Sequence, residues 1–531
     1  MAPVLFQSRG VRRTIKQTAP LFEETLEYSL FDHPECAITD RVAEHGDSTT
    51  HITNLIREHQ RPACTTAKPF DRATIAGKNT YTYDAHTYHT KVPPQGIAEL
   101  LRYYLPDGGL ILDPFAGSGM TGVASRILGL DCILNDLSPA ATFIAEQYCR
   151  KLSPEEYRRG IDSILNATRE LRASLYSTTC RECGKQAELQ YTVWSYRVTC
   201  SECSHPFVLW DHCREYGKSV KDHRILPEFP CPSCDTILKK SRLKRLDAIP
   251  VLVGYKCCGS KQVEVTHSPS PEDLLKIQQI SSLPPLIEGF YPQVDIPDGV
   301  NLRQPKKHGL TRIADFYTSR NLSALNHIWY HIQRIPKDSV AQMVAFTFTS
   351  LYQRVTRLSE FRFWGGSGNT PRFNVPFIFN ETNVFLTFER KSRSIEDHLF
   401  SAASKYEGEV AISCGSATDL KNISNESIDL IFTDPPFGSF INYSEMNFLW
   451  ESWLGQYTNN KSEAIINRVQ GKGINEYSSL MEQSFKECFR VLRRDHWMLV
   501  VFMNSSGEVW EGVRNAIIKA GFQIVTAHIY D

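Results

Sequence analysis

An α/β fold built on a mostly parallel sheet is what this 531-residue sequence predicts. Leu110-Ile111-Leu112-Asp113 is an apolar run that enters a glycine-rich turn, Pro114-Phe115-Ala116-Gly117-Ser118-Gly119. A second apolar run, Ile428-Asp429-Leu430-Ile431-Phe432-Thr433, ends on Asp434-Pro435-Pro436-Phe437. Around both, short apolar runs alternate with stretches of helical spacing, the order of a sheet whose crossovers are helices.

Taken in order, residues 1–82 show helical spacing at Ile52, Leu55 and Ile56, no repeat, and no assignable function. Pro93-Pro94 stops any helix before it, and 96–104 has helical spacing. The strand at 110–113 then meets glycines, which let the backbone turn sharply and approach a ligand closely. A helix follows (Val123, Ala124, Ile127, Leu128), then a strand over 131–134 ending in Asn135-Asp136. An acid at the tip of the second strand is placed to bind ribose hydroxyls. Ser138 and Pro139 open the next helix as N-cap and first-turn residue, and 152–176 reads as one more long helix. Helical spacing returns over 340–360. The third strand spans 409–417 and leads into Ser416-Ala417-Thr418-Asp419; the fourth ends at Asp434. Beyond it come a helix-like stretch over 443–454 with Trp450 and Trp453 in the core, a helix over 480–492, a strand over 497–503, a helix over 509–520 and a strand over 522–530.

Lysines and arginines equal aspartates and glutamates, 59 each, so net charge gives no general pull toward a polyanion. Charge is locally uneven. Residues 214–245 hold nine Lys or Arg against four Asp or Glu, with Lys239-Lys240-Ser241-Arg242-Leu243-Lys244-Arg245 as the centre, and a second basic run is Arg390-Lys391-Ser392-Arg393. Phosphate neutralisation needs only a local patch. The arginine- and aromatic-rich stretch 361–374 has residues suited to stacking a base or gripping phosphates. No run of eighteen apolar residues exists, which excludes a membrane-spanning helix. The first residues, Met1-Ala2-Pro3-Val4-Leu5-Phe6, lack the pattern of a signal peptide. A cytoplasmic location is expected, and there fifteen cysteines point to metal ligation or free thiols rather than disulfides.

Cys180-x2-Cys183 and Cys200-x2-Cys203 are separated by sixteen residues, the spacing of a four-cysteine zinc ribbon, with a β-hairpin expected between them. Cys231-x2-Cys234 reads as half of a second site, completed by the adjacent Cys257 and Cys258 through an unusual turn at Gly259; Cys213, His205, His212 and His223 are reserve ligands. One structural Zn2+ is expected and a second is possible. A zinc-stiffened insertion with a basic face suits target recognition.

At the Asp434-Pro435-Pro436-Phe437 turn, two prolines fix φ twice and remove two donors. The turn would hold an acceptor carboxylate and a flat ring in fixed relation, a site suited to an exocyclic amino group on a planar base. Asp113-Pro114-Phe115-Ala116-Gly117-Ser118-Gly119 together with Thr433-Asp434-Pro435-Pro436-Phe437-Gly438 resembles the S-adenosylmethionine-dependent amino-methyltransferases of DNA. The stretch TDPPFGSFINYSEMNFLWESWLG, residues 433–455, resembles the adenine-specific methylases that carry a zinc-ribbon insertion. The resemblance covers residues 84–150 and 340–531.

It implies a class I, Rossmann-like methyltransferase sheet with the cysteine-rich insertion between the second and third core strands. The implied organisation is an N-terminal region 1–82, a first core part 83–176 with the cofactor loop, the insertion 177–266, a connecting helical region 267–400 and a second core part 401–531 with the catalytic tip. It implies S-adenosyl-L-methionine bound by Lys91, Asp113, Phe115, Gly117, Gly119, Asp136 and Asp419, the last receiving the cofactor's adenine amino group. It implies catalysis by Asp434, Pro435, Pro436 and Phe437. Asp434 and the Pro435 carbonyl would accept from the target amino group, and Phe437 would stack on an extruded base. Asp434 favours adenine N6 in double-stranded DNA. Cytosine N4, guanine N2 of tRNA, and a non-catalytic DNA-binding subunit are the alternatives. Such sheets end in an antiparallel hairpin, whereas this sequence reaches Asp531 after one arm; the missing strand comes from elsewhere in the chain or from a protein partner, or the chain is truncated.

Overall fold

The structure, a computed structural model, describes residues 3–8, 48–66, 68–71, 80–258, 263–282, 287, 291–363, 365 and 373–527. It divides into two compact units: residues 1–153 with 397–531, and residues 154–396. Gly259, expected at the turn of the second zinc site, and most of 364–372, within the arginine- and aromatic-rich stretch, lie outside the described residues.

The first unit is built on a seven-stranded sheet. Its strands are β1 (Pro3–Ser8), β2 (Leu110–Asp113), β3 (Asp131–Asp136), β4 (Val410–Cys414), β5 (Ile428–Thr433), β6 (Leu492–Val501) and β7 (Phe522–Ala527). The spatial order is β4-β3-β2-β5-β6-β1-β7. Pairings from β4 through β6 are parallel, while β1 is antiparallel to both of its neighbours. The sheet is mixed but mainly parallel, as a Rossmann-like methyltransferase requires. Its central strands are buried along their whole length, β2 and β5 at every position, which is why they read as continuous apolar runs rather than alternating ones.

Helices α1 (Ser48–Glu58), α2 (Pro94–Tyr104), α3 (Met120–Ile127), α4 (Pro139–Cys149), α5 (Tyr443–Leu454), α6 (Ile474–Val491) and α7 (Gly507–Ala520) belong to this unit. Ser138 caps α4 as expected, accepting from the Ala141 N–H, and Trp450 and Trp453 are buried in α5. The one charged side chain within β5, Asp429, is fully buried and accounted for. It accepts from the Ala63 and Leu110 N–H groups, each at 2.9 Å, and pairs with Arg493 at 3.0 Å. That carboxylate ties the entry of β2 to β5 and β6.

The missing arm of the terminal hairpin is supplied by β1. Residues near the start of the chain pair with β6 (Leu5 with Leu499) and with β7 (Leu5 with Thr526). A protein partner is therefore not needed to fill that place. Sequence reading missed the strand because six residues without an apolar partner nearby in sequence carry no signal of a sheet edge almost five hundred residues away.

In the second unit, the strand Gln186–Thr199 pairs antiparallel with Lys244–Lys256 on one side and with Ile378–Thr382 on the other; Glu264–His267 extends the sheet beyond Lys244–Lys256. The expected hairpin between Cys183 and Cys200 is instead one unbroken fourteen-residue strand. The expected long helix over 152–176 is two helices, Pro154–Ala167 and Arg169–Tyr176, broken at Thr168. A buried ion pair, Arg320 with Glu381, is completed by Thr318, Thr192 and the Trp194 indole, so neither charge is left without partners.

Leu5→Pro should remove a ladder donor from a strand paired on both sides. The expected result is a lower unfolding midpoint and concentration-dependent association by light scattering, since the edge of β6 is then open. An unchanged midpoint with a monodisperse protein would mean that β1 does not complete the sheet.

Candidate functional site

Parallel strands end along one edge, and the turns that follow β2, β3, β4 and β5 build a cleft there. It has about 660 Å³ of space and is lined by Tyr88, Phe115, Gly117, Asp136, Asp434 and Tyr443 among others. The glycine turn is shaped by two left-handed residues. Gly117, at φ +51°, faces the cleft, and a Cβ there would lie 3.1 Å from the Tyr88 ring. Gly119, at φ +77°, serves packing instead. A Cβ there would meet Ala145 of α4 at 2.6 Å, so the glycine allows the turn to lie against that helix.

Asp136, at the tip of β3, holds the turn in place. Its Oδ2 accepts from the Gly117 N–H at 2.7 Å and its Oδ1 from the Ser138 N–H at 2.9 Å. Burial pushes its carboxyl up to about 6, against those backbone donors. Asp113 lies deeper and does not line the cleft. It spends its oxygens on the Phe115 N–H and the Thr121 hydroxyl, and burial pushes it up to about 7. It is a positioning residue for the turn.

Asp434 is the exception among these acids. Its Oδ1 is buried and has no hydrogen-bond partner. Burial, then the nearby Asp113 carboxylate, hold its pKa well above the ordinary carboxylate range. Pro435 is buried beside it; Pro436 lines the cleft, and its carbonyl accepts from the Tyr477 hydroxyl at 2.7 Å, which fixes the turn. Glu463 also lines the cleft, with its oxygens on the Ser444 N–H and hydroxyl. Among the described residues the lining thus has three carboxylates and no lysine or arginine. That charge balance suits a cationic ligand.

Besides Asp113, Gly119 and Pro435, three more expected site residues stand outside the lining. The Phe437 ring is 2% exposed and packs edge-to-face on Phe502 in the core. It presents no face for a base in this structure, because the turn carries it under the sheet edge. Lys91 donates to the Tyr83 and His86 carbonyls and lies over the Tyr83 ring, outside the lining; its neighbours Tyr88 and Thr90 line the cleft instead. Asp419 is exposed and pairs with Lys421 at 3.1 Å, while Ser416 and Ala417, just before it, line the cleft. Tyr443 and Glu463 were missed. Tyr443 stood in the quoted aromatic stretch and was read only as part of a helix; Glu463 carries no local signal.

The cysteines of the second unit form two clusters, but not in the pairs that spacing predicts. Cys200 and Cys203 join Cys231 and Cys234, with all four sulfurs within 4.8 Å of one another; Cys180 and Cys183 join Cys257. The Cys258 sulfur lies 3.1 Å from that of Cys183. The correction has a simple cause. Cys183 and Cys200 sit at opposite ends of one strand of fourteen residues, which at about 3.3 Å per residue spans roughly 45 Å. Each end of the strand therefore takes its second pair from the segments around Lys244–Lys256. Cys213, His205, His212 and His223 join neither cluster.

The donor set fits a thiophilic ion. The Cys200–Cys234 and Cys203–Cys231 sulfur separations are both 3.8 Å. A tetrahedron of sulfurs about 2.3 Å from a central ion has edges of about 3.8 Å. The residue after each Cys-x-x-Cys pair, Gly184, Ser204 or Asp235, adopts a left-handed φ, which closes the knuckle. Backbone N–H groups of Cys203 and Glu202 point at the Cys200 sulfur and hold that thiol below its ordinary range. The Thr236 hydroxyl and N–H bring Cys234 down to about 6.

Because the folded Asp113 carboxyl titrates near 7 rather than 3.8, the native state holds a proton that the unfolded state has lost between about pH 4 and about pH 7, and stability falls as pH rises through that window. Asp113→Asn should flatten this slope in thermal unfolding, becoming relatively more stable toward the alkaline end. Parallel profiles for the two proteins would place the Asp113 proton elsewhere.

No helix of the described residues is long and apolar enough to cross a membrane. A DNA methylase family model matches residues 42–147, from just before α1 through the glycine turn and Asp136 into α4, and ends well before Asp434. The Type II methyltransferase M.MjaII of Methanocaldococcus jannaschii is 30% identical over 106 residues, which are 20% of this chain and 20% of that protein. No solved structure matches. Over residues 42–147, which hold the glycine turn and the acidic tip of β3, the chain is similar to S-adenosylmethionine-dependent DNA amino-methyltransferases.

Proposed function

We propose that the cleft binds S-adenosylmethionine and directs its methyl group to the exocyclic amino nitrogen of an extruded base in double-stranded DNA, adenine N6. The observation that carries this reading is the buried, unpartnered Oδ1 of Asp434 in the lining of a cleft that also holds Asp136 and Gly117. A buried acceptor without a partner asks for a donor from outside the chain, and an NH2 group is one. When bound, the cofactor would supply an electrophilic methyl group on a sulfonium, whose leaving group is a neutral thioether.

The chain's own residues do the rest. Gly117 keeps the turn close, and Asp136, with lone pairs left after its two backbone bonds, takes ribose hydroxyls. The acidic lining favours the sulfonium. Asp434 accepts from the amino group and so keeps the nitrogen lone pair out of the ring's conjugation. Its raised pKa also suits it to take the proton that the methylated nitrogen must lose. Extruding a base costs a few kcal/mol. With Phe437 in the core, Tyr443 is the lining ring on the Asp434 side that can return part of this by stacking.

Asp434→Ala should lower methyl transfer by about 10²–10³ while calorimetry shows nearly unchanged cofactor affinity. In wild type, transfer should decline as pH falls through the raised pKa of Asp434, because the ionised form is the acceptor. Transfer near the wild-type rate in the variant would sink the assignment. Sequencing the modified base decides among adenine N6, cytosine N4 and guanine N2 of tRNA.

Each cysteine cluster is proposed to hold one structural zinc. At roughly 10–16 kcal/mol each, the ions would keep these short segments folded. Elemental analysis should find about two zinc ions per chain. Chelation should weaken DNA binding and leave cofactor affinity intact, since both clusters lie in residues 154–396 and the cleft does not. Protein purified without chelator that contains no zinc would remove this part of the reading.

A further inference from the structure

The second unit contains another cleft, which the proposed chemistry does not use. It has about 760 Å³ of space and is lined by His223, Arg224, Ile225, Lys240, Glu360, Phe361, Arg362, Phe363, Phe377 and Ile378. Three cations face one acid, Glu360, whose contact with Arg362 is a loose 3.6 Å. Arg224 and Lys240 have no ion-pair partner among the described residues. The apolar wall is aromatic. Phe361 and Phe363 stand 5.1 Å apart in a T-shape, Phe363 is braced by Trp210 and Tyr216, and Phe377 lies under the Arg245 guanidinium at 3.9 Å. The His223 ring is wedged between Tyr216 and Phe363, with Nδ1 buried and unpartnered.

The basic run that composition picked out divides here into separate roles. Lys239 is paired with Glu228 at 2.8 Å. Arg245 is spent on the Val375 and Pro376 carbonyls. Lys240 reaches the cleft. Lys240 follows directly on the hairpin that carries Cys231 and Cys234, and its N–H closes that hairpin on the Pro227 carbonyl, while the Leu226 N–H ties the Arg224 segment to the Cys213 carbonyl.

We propose that this cleft is a second nucleic-acid site, which grips the phosphates of a DNA strand with Arg224, Lys240 and Arg362 and takes one unstacked base against Phe361 and Phe363. Cations beside fixed aromatic rings are what an unpaired nucleotide needs: charge for its phosphates and a platform for a base of any identity. The site accepts a nucleotide other than the one modified. The proposal rests on DNA being the substrate but not on which base is methylated.

The test uses full-length, zinc-loaded protein and fluorescence anisotropy with three probes: a duplex, the same duplex with a two-nucleotide unpaired bulge, and polyglutamate as an acidic peptide. Wild type should prefer the bulged duplex. Lys240→Ala with Arg362→Ala should weaken both duplexes and lower the salt slope by about 1.4 to 1.8. Phe363→Ala should erase the preference for the bulge, a loss of about tenfold, while Phe363→Tyr retains it. Cofactor affinity should stay at the wild-type value in all variants, and an unchanged circular-dichroism spectrum and zinc content should report that residues 154–396 remain folded. Unchanged affinities and salt slope in both variants would overturn the proposal, as would polyglutamate displacing DNA from wild type but not from the double variant, which marks a docking site for acidic protein. If wild type itself bound no cofactor and methylated nothing, the proposed function would fail, and the anisotropy comparison would still judge the cleft.

Discussion

Parallel strands that all end along one edge are the constraint on which the first unit depends. Once β2, β3 and β5 pair in parallel, the residues at or just past their tips, Asp113, Asp136 and Asp434, must gather on the same side. Burying like charges together is costly, and the structure shows how each is handled. Asp113 is satisfied within the turn it supports, Asp136 is satisfied by two backbone donors and still opens to the cleft, and Asp434 is left with an oxygen unpaired. The gradient from satisfied to unsatisfied runs from the fold toward the chemistry. A cationic ligand would relieve the electrostatic load that the strands impose.

The second unit solves a different problem with one long strand. Gln186–Thr199 is central, with Lys244–Lys256 and Ile378–Thr382 on its flanks. Short loops at its ends bury little apolar surface and cannot hold themselves in place. A zinc ion held by the cysteine cluster at each end, as proposed, would do what a hydrophobic core does in a larger segment. The two clusters stand apart at opposite ends of that strand rather than forming a double centre, and the one built on Cys200, Cys203, Cys231 and Cys234 adjoins the basic, aromatic cleft.

Much of the first unit was legible from sequence because its signals are local. The apolar run into Pro114-Phe115-Ala116-Gly117 reads as strand and turn within a dozen residues, and Ser138-Pro139 marks a helix start with two. What failed to read was relational. Phe437 was identified correctly as part of a rigid turn, but the direction of its ring depends on Phe502, sixty-five positions on. The spacing of Cys183 and Cys200 matches a zinc ribbon only if the chain between them folds back. Leu189, Tyr191, Val193 and Trp194 have strand character in either case, and nothing among them says whether a turn intervenes. Lys91 and Asp419 each lie within three residues of a lining residue, so their segments reach the cleft while their own side chains turn elsewhere.

The place of β1 has a consequence for how the molecule is made. Gln7 is made long before its partner Trp497, about 490 residues further along the chain. The strand that separates β6 from β7 must wait, unpaired, until both of its neighbours have been made. Closing so long a loop adds little to the equilibrium cost, because that cost grows only with the logarithm of length, but contacts of such separation form late. The other five strands, β2 to β6, can assemble without either end of the chain. β1 is then the last piece the sheet takes in, and until it docks β6 keeps an open edge.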